Sequence, residues 1–112
     1  MAEIQFAKGT IETVVPDVRL SKSKTGEQSK ASFYFEKPDV LGNDVNQDIT
    51  GMYMLDEEGE IITREVKAKF VNGKPEALEV LYIMNSNAEW DRFMRFMERY
   101  SEANGLGFTK AE

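Results

Sequence analysis

The sequence predicts an α+β fold: an antiparallel β-sheet with a 49–84 meander, N-terminal strands and one long C-terminal helix packed on the sheet. Three observations carry this. Short runs between residues 3 and 84 alternate apolar and polar side chains, the period-two pattern of half-buried strands. Turn sequences separate the runs, Asn72-Gly73 most clearly, so neighbouring strands run antiparallel. Beyond Ser86 the period becomes helical: Trp90, Phe93, Met94, Met97 and Tyr100 recur at i, i+3, i+4, i+7 and i+10. The 112 residues suit a single domain, 1–112.

In chain order, EIQFA turns Ile4 and Phe6 inward, and DVRLSKS sets Val18 and Leu20 against Arg19 and Ser21. KTGEQS reads as a turn into the aromatic strand ASFYFE. KPDVLGNDVNQ, residues 37–47, mixes Pro, Gly, Asn and Asp without a period and reads as a loop. The meander follows as ITGMYML, the turn DEEG, EIITREVKAKF, the turn VNGK, and PEALEVLYIM. On its middle strand the even positions Ile62, Val66, Ala68 and Phe70 are apolar, and so are Leu78, Val80, Tyr82 and Met84 on the next. Facing residue numbers must then sum to an even number. That parity predicts a three-residue loop, Val71-Asn72-Gly73, with Gly73 left-handed in a bulge. Apolar residues at odd positions (Tyr53, Leu55, Ile61, Leu81, Ile83) predict that part of the sheet is covered on both faces.

The helix is expected over Asn87–Asn104. Ser86 is its N-cap, Glu89 completes a capping box, Gly105 stands at the left-handed C-terminal position, and Leu106 folds back on Tyr100. Phe96 falls at the edge of the apolar stripe and is expected to be partly exposed. Arg92, Arg95 and Arg99 share the opposite face at i, i+3 and i+7, with Asp91 and Arg95 as an i, i+4 pair. This row reads either as a solvated, ion-paired face or as guanidinium groups aimed at a partner.

Composition narrows the chemistry. The chain has no Cys, which excludes disulfides and thiolate metal sites, and no His, the commonest general base and metal ligand. Its formal charge of −6 is opposite in sign to what a duplex nucleic-acid or anionic-lipid binder normally shows. The acidity is local: residues 38–60 hold seven acids and no Lys or Arg. That block reads as a solvated loop face or as a patch for a basic partner. No run approaches the ~20 apolar residues of a membrane helix. The N-terminal residues lack the pattern of a signal or transit peptide, and a soluble protein is expected. DEEGE has the spacing of a hairpin tip rather than of a calcium loop, and no metal or cofactor is expected. No nucleophile, carboxylate pair or phosphate loop stands out, so the residues alone describe a non-catalytic binding module.

The strings EIQF, PDVRLSKSKTG, ITGMYMLDEEGEI, TREVKAKFVNGKP and EWDRFMRFMERYSEANGLGF, in this order along essentially the whole chain, closely resemble the photosystem II Psb28 family. The resemblance implies a non-enzymatic assembly factor without cofactors, monomeric and soluble when free. It implies a peripheral position on the cytoplasmic side of the thylakoid membrane and transient binding to photosystem II intermediates. The partners it implies are the larger core antenna subunit and the reaction-centre subunits, reached by β-augmentation, which needs an unpaired strand edge. Membrane association would then run through protein partners. The absence of a transit peptide fits a cyanobacterial or plastid-encoded origin.

The family supplies no short functional motif, so partner-binding candidates rest on the residues. They are Arg92, Arg95 and Arg99 on the helix, and Arg19, Lys22 and Lys24 as basic outward positions of the 18–24 strand. The rival readings are a factor in chlorophyll supply to chlorophyll-binding proteins, and a single-stranded nucleic-acid module. The first lacks a His ligand; the second lacks an RNP pattern and has the wrong charge.

Overall fold

Alternation writes the strands directly into the backbone. In the computed structural model residues 2–7, 9–24, 28–41, 49–105 and 109–111 are described. They form β1 (Glu3–Ala7), β2 (Thr10–Ile11), β3 (Asp17–Ser21), β4 (Ser29–Glu36), a 3-10 turn (Asp39–Leu41), β5 (Met52–Asp56), β6 (Gly59–Thr63), β7 (Glu65–Val71), β8 (Lys74–Met84), α1 (Asn87–Asn104) and β9 (Thr109–Ala111). β3 and β4 alternate strictly between exposed and buried residues, with Val18, Leu20, Ala31, Phe33 and Phe35 inward. The α+β class therefore holds, but the strands divide between two sheets. One has the order β2-β1-β5-β6; the other has β7-β8-β4-β3, with β9 added parallel to β3.

The meander keeps its chain order and crosses between these sheets at Arg64. The expected continuous middle strand is therefore two strands, β6 and β7. Thr63 Oγ1 donates to the Leu81 carbonyl at 2.8 Å and accepts from the Glu65 N–H at 3.3 Å. The Val66 N–H closes a tight turn on the Arg64 carbonyl at 2.9 Å. The kink also switches parity. Ile61 and Thr63 are buried on β6, whereas Ala68 and Phe70 on β7, expected inward, are exposed and Val66 is half-buried.

The expected three-residue loop is likewise overturned. Val71 faces Lys74 directly, so Asn72-Gly73 forms a two-residue turn with both residues at positive φ, 53° and 80°. The pairings Val66–Val80, Lys67–Glu79 and Ala68–Leu78 still obey the even sum. The extra residue that parity demands lies in β8, where Phe70 faces Pro75 and Lys69 faces Ala77, leaving Glu76 as the bulge.

One hydrophobic core joins both sheets and the helix. Phe6 meets Phe35 edge-on across the sheets at 4.8 Å, and Phe33 meets Phe93 of α1 at 6.0 Å. On β5, Met52, Tyr53 and Met54 are all buried, so both faces of that strand are covered as the odd apolar positions suggest; Ile83, by contrast, is 36% exposed.

α1 has the expected bounds. The Glu89 N–H donates to Ser86 Oγ at 3.1 Å, and the Gly105 N–H, at φ 66°, donates to the Ser101 carbonyl. The Glu89 carboxylate accepts from the Asn85 N–H at 3.4 Å. Phe96 departs from expectation: it is 0% exposed and stacks on Tyr100 at 5.7 Å. The helix touches strands of both sheets, β5 and β8, so its buried arc is wider than one sheet would make it.

The stretch at 37–47 is partly ordered by a buried carboxylate. Glu12 accepts from the backbone N–H groups of Val14, Asp39 and Val40 at 3.0, 2.8 and 3.1 Å, which holds the 3-10 turn against the end of β2. Residues 42–47 of that stretch, 25–27 of the KTGEQS turn and the proposed Leu106–Tyr100 contact lie outside the described residues.

Candidate partner-binding surface

The arginine row of α1 meets the acidic tip of the β5–β6 hairpin. Arg92 forks onto Asp56 through two bonds of 2.9 and 2.6 Å, and Arg99 reaches the same carboxylate at 2.9 Å. Arg95 forks onto Glu58 at 2.8 and 3.0 Å, where Arg99 adds a bond of 2.6 Å. Arg99 also lies 3.4 Å from Glu57. Among the described residues Arg95 bonds directly to Glu58, a bidentate fork stronger than an exposed i, i+4 pair, while the Asp91 charge still favours the Arg95 cation.

Burial alone would raise the Asp56 carboxyl, but hydrogen bonds from Arg92 and Arg99 outweigh it and hold the group at about 2. Hydrogen bonds from Arg95, then Arg99, hold Glu58 at about 2 as well. The three arginines thus clamp a hairpin of their own chain. Arg95 keeps 48% of its side chain exposed, against 21% and 28% for Arg92 and Arg99.

The second set of candidates does not form one cluster. Arg19 projects from the outer face of β3, away from the helix. Lys22 sits beyond the end of β3 with its ammonium 5.5 Å from the Trp90 ring centre, a cation–π contact on the helix side. Lys24 is exposed in the following turn.

Register places Arg19 in a different company. Arg19 faces Ser32, Ser32 faces Leu81, and Leu81 faces Glu65. The adjacent row runs Asp17, Tyr34, Glu79, Lys67. Together the two rows line a shallow groove of about 540 Å³ on the outer face of the larger sheet. Tyr34 is 38% exposed on that face, and Lys69 pairs with Glu79 at 2.9 Å at the edge of β7.

β7 ends the larger sheet and pairs only with β8 among the described strands. Half of the N–H and C=O groups of such a strand point away from its neighbour. The opposite margin of the sheet is different, because β9 covers β3. Tyr34, Lys67 and Lys69 were not among the sequence candidates. Their signal was present in the polar half of the alternation in ASFYFE and EVKAKF, but which margin of the sheet stays open is set by the pairing order.

A model of the Psb28 protein family matches residues 4–108. The chain is 65% identical over 112 residues to a protein of Synechocystis sp., covering all of both chains. It is also 65% identical to one of Nostoc punctiforme, covering 100% of this chain and 99% of that one. With one of Microcystis aeruginosa it shares 64% identity, with 99% of each chain covered. Each of these relatives bears the description photosystem II reaction center Psb28 protein. No helix among the described residues is long and apolar enough to cross a membrane.

Proposed function

The chain belongs to the Psb28 family of photosystem II proteins, and from that premise we propose that it is a non-catalytic assembly factor whose β7 edge captures an extended tail of a photosystem II core subunit. The observation that carries this reading is the seven-residue margin of β7 at the end of the larger sheet. A tail laid along it gains main-chain hydrogen bonds as an added strand, and outward side chains then select among tails. Lys67 and Lys69 on that margin favour a tail with acidic residues. Arg19 and Tyr34, across the groove, offer a guanidinium and an aromatic face to adjoining loops of the partner.

The partners in this reading are the larger core antenna subunit, whose C-terminal tail supplies the strand, and the reaction-centre subunits. Docking takes place on the cytoplasmic side of the thylakoid membrane and is transient. The protein acts by occupancy. The seated domain shields the quinone-side surface of the immature complex until later subunits arrive. The arginine row has a supporting part: by clamping Asp56 and Glu58 it fixes the helix against the smaller sheet and so sets the shape of the docked face.

Affinity capture of photosystem II intermediates with tagged protein tests this. The double variant Lys67→Glu/Lys69→Glu is expected to lose most of the captured complex, while Lys24→Glu, away from the groove, retains it. Undiminished capture by the β7 variant, with loss in Arg95→Glu, would move recognition to the helix and overturn the edge reading.

A further inference from the structure

We infer that the tip of the β7–β8 hairpin is a docking element for a lipid bilayer bearing anionic headgroups. The tail-capture reading uses the main chain of β7 with Lys67 and Lys69 but not the side chains of Phe70, Val71 and Lys74, and this inference does not rest on it.

Phe70 and Val71 are 64% and 54% exposed, and as consecutive strand residues they present apolar side chains on the two faces of the hairpin end. Every residue from Lys67 to Pro75 is exposed, so this end of the hairpin lies clear of the core. Residues 66–75 carry Lys67, Lys69 and Lys74 and no acid, within a chain of formal charge −6. Among the described residues only Lys69 of the three is ion-paired, to Glu79. Glu65, Glu76 and Glu79 on the same two strands, and Glu36, which faces Ala77 from β4, lie behind the tip. Lysines on an edge strand also discourage aggregation, which accounts for Lys67 and Lys69 but not for an exposed Phe-Val pair beside them.

A tip is a different object from a flat patch. Asn72-Gly73 is a two-residue turn, so Phe70 and Val71 stand at the end of a narrow arm that can enter an interface. A strand rises about 3.3 Å per residue, which places Lys67 about 10 Å and Lys69 about 3 Å behind Phe70, while Lys74 faces Val71 beside the turn. Interfacial segments bury their apolar side chains about 5–10 Å deep with cations at the headgroup level; the setback of Lys67 matches that spacing, and the long stem of Lys74 lets its ammonium reach back to the headgroups. Charge complementarity selects the surface: the basic arm is attracted by anionic headgroups, whereas the acidic remainder of the chain is repelled. The molecule is thereby oriented with the tip toward the bilayer. One arm with three lysines makes a weak and salt-sensitive contact, suited to reversible attachment.

Co-sedimentation with vesicles tests the inference, using full-length protein at low salt. The two vesicle types are phosphatidylcholine alone and phosphatidylcholine with about a third phosphatidylglycerol. The chain is expected to partition onto the anionic vesicles and not the neutral ones. Phe70→Ser is expected to reduce partitioning about tenfold, and Lys67→Ala or Lys74→Ala about fivefold each, from roughly 1 kcal/mol per lysine at an anionic surface. Ile11→Ser, 54% exposed like Val71 but far from the arm in the pairing order, should change nothing. In a second measurement, Phe70→Trp should give an emission that shifts to shorter wavelength with anionic vesicles; the buried Trp90 supplies a constant background.

Absence of binding to anionic vesicles together with an unshifted Phe70→Trp emission would overturn the inference. Equal loss in Ile11→Ser and Phe70→Ser would do the same. If Phe70→Ser instead lost capture of photosystem II intermediates while the wild-type chain ignored vesicles, the tip would belong to a protein pocket and the lipid assignment would fall.

Discussion

Replacing Asp56 by Asn tests whether the clamp between helix and hairpin stabilises the fold. The Asp56 side chain is 0% exposed and accepts three bonds of 2.6–2.9 Å from Arg92 and Arg99. Its carboxyl lies at about 2 instead of 3.8. At 1.36 kcal/mol per pH unit, that is about 2 kcal/mol in favour of the charged form. The surrounding guanidinium groups reach solvent, and screening trims the contribution to about 1–2 kcal/mol. The sign follows from the lowered value: the stabilisation is complete above pH 3.8 and fades as pH falls toward about 2. Asp56→Asn keeps the shape but removes the charge. It should therefore lose about 1–2 kcal/mol at pH 7, or about 5–10 °C in Tm for a chain of this size. Urea unfolding of both proteins at pH 7, 5, 4, 3 and 2 reads this out. The difference between them should stay constant down to pH 5 and shrink below pH 4. Stabilities within about 0.3 kcal/mol at pH 7, or a difference unchanged between pH 5 and pH 2, would refute the reasoning.

Other perturbations address separate parts of the fold. Ser86→Ala removes the acceptor of the Glu89 N–H and should cost about 1 kcal/mol in urea unfolding, with Ser86→Asn restoring most of it. Phe96→Ala should cost about 3–5 kcal/mol because the ring is sealed in the core, whereas Phe70→Ala, 64% exposed, should stay within about 0.5 kcal/mol. At Gly51, φ +155°, an added Cβ would meet the Thr63 carbonyl oxygen at 2.9 Å; at Gly59, φ +130°, it would meet nothing within 4 Å. Gly51→Ala should therefore lower Tm by several degrees more than Gly59→Ala, both variants carrying backbone strain but only the first a clash with β6.

Local features were legible where local chemistry decides them. The helix bounds follow from Ser86, Glu89 and Gly105, all within a turn of the ends they cap. Strand faces in β3 and β4 follow from strict alternation, and the inward Ile4 and Phe6 of β1 from the same period. The sequence did not reveal the break at Arg64, because the bond that holds it joins Thr63 to Leu81, 18 residues away. Parity correctly required one extra residue in the β7–β8 hairpin but could not say where it falls. The Asn72-Gly73 pair took the tight turn, and the bulge moved to Glu76. Phe96 was misplaced because an apolar stripe measures contact with one surface, and α1 has two. The arginine row was visible from spacing, yet its partners Asp56 and Glu58 lie 36 and 41 residues upstream of Arg92 and Arg99. Arg19, Lys22 and Lys24 were all read as outward, but β3 ends at Ser21, and Lys22, of the same parity as the inward Val18 and Leu20, meets Trp90 on the helix side.

Tail capture at the β7 edge is tested most directly by amide NMR of labelled protein titrated with a synthetic C-terminal tail of the core antenna subunit. The account predicts shift changes along Glu65–Val71, new exchange protection at alternate residues of that strand, and little change at Arg92, Arg95 and Arg99. Shifts centred on the helix, or none at high micromolar peptide with β7 amides exchanging as before, would contradict it.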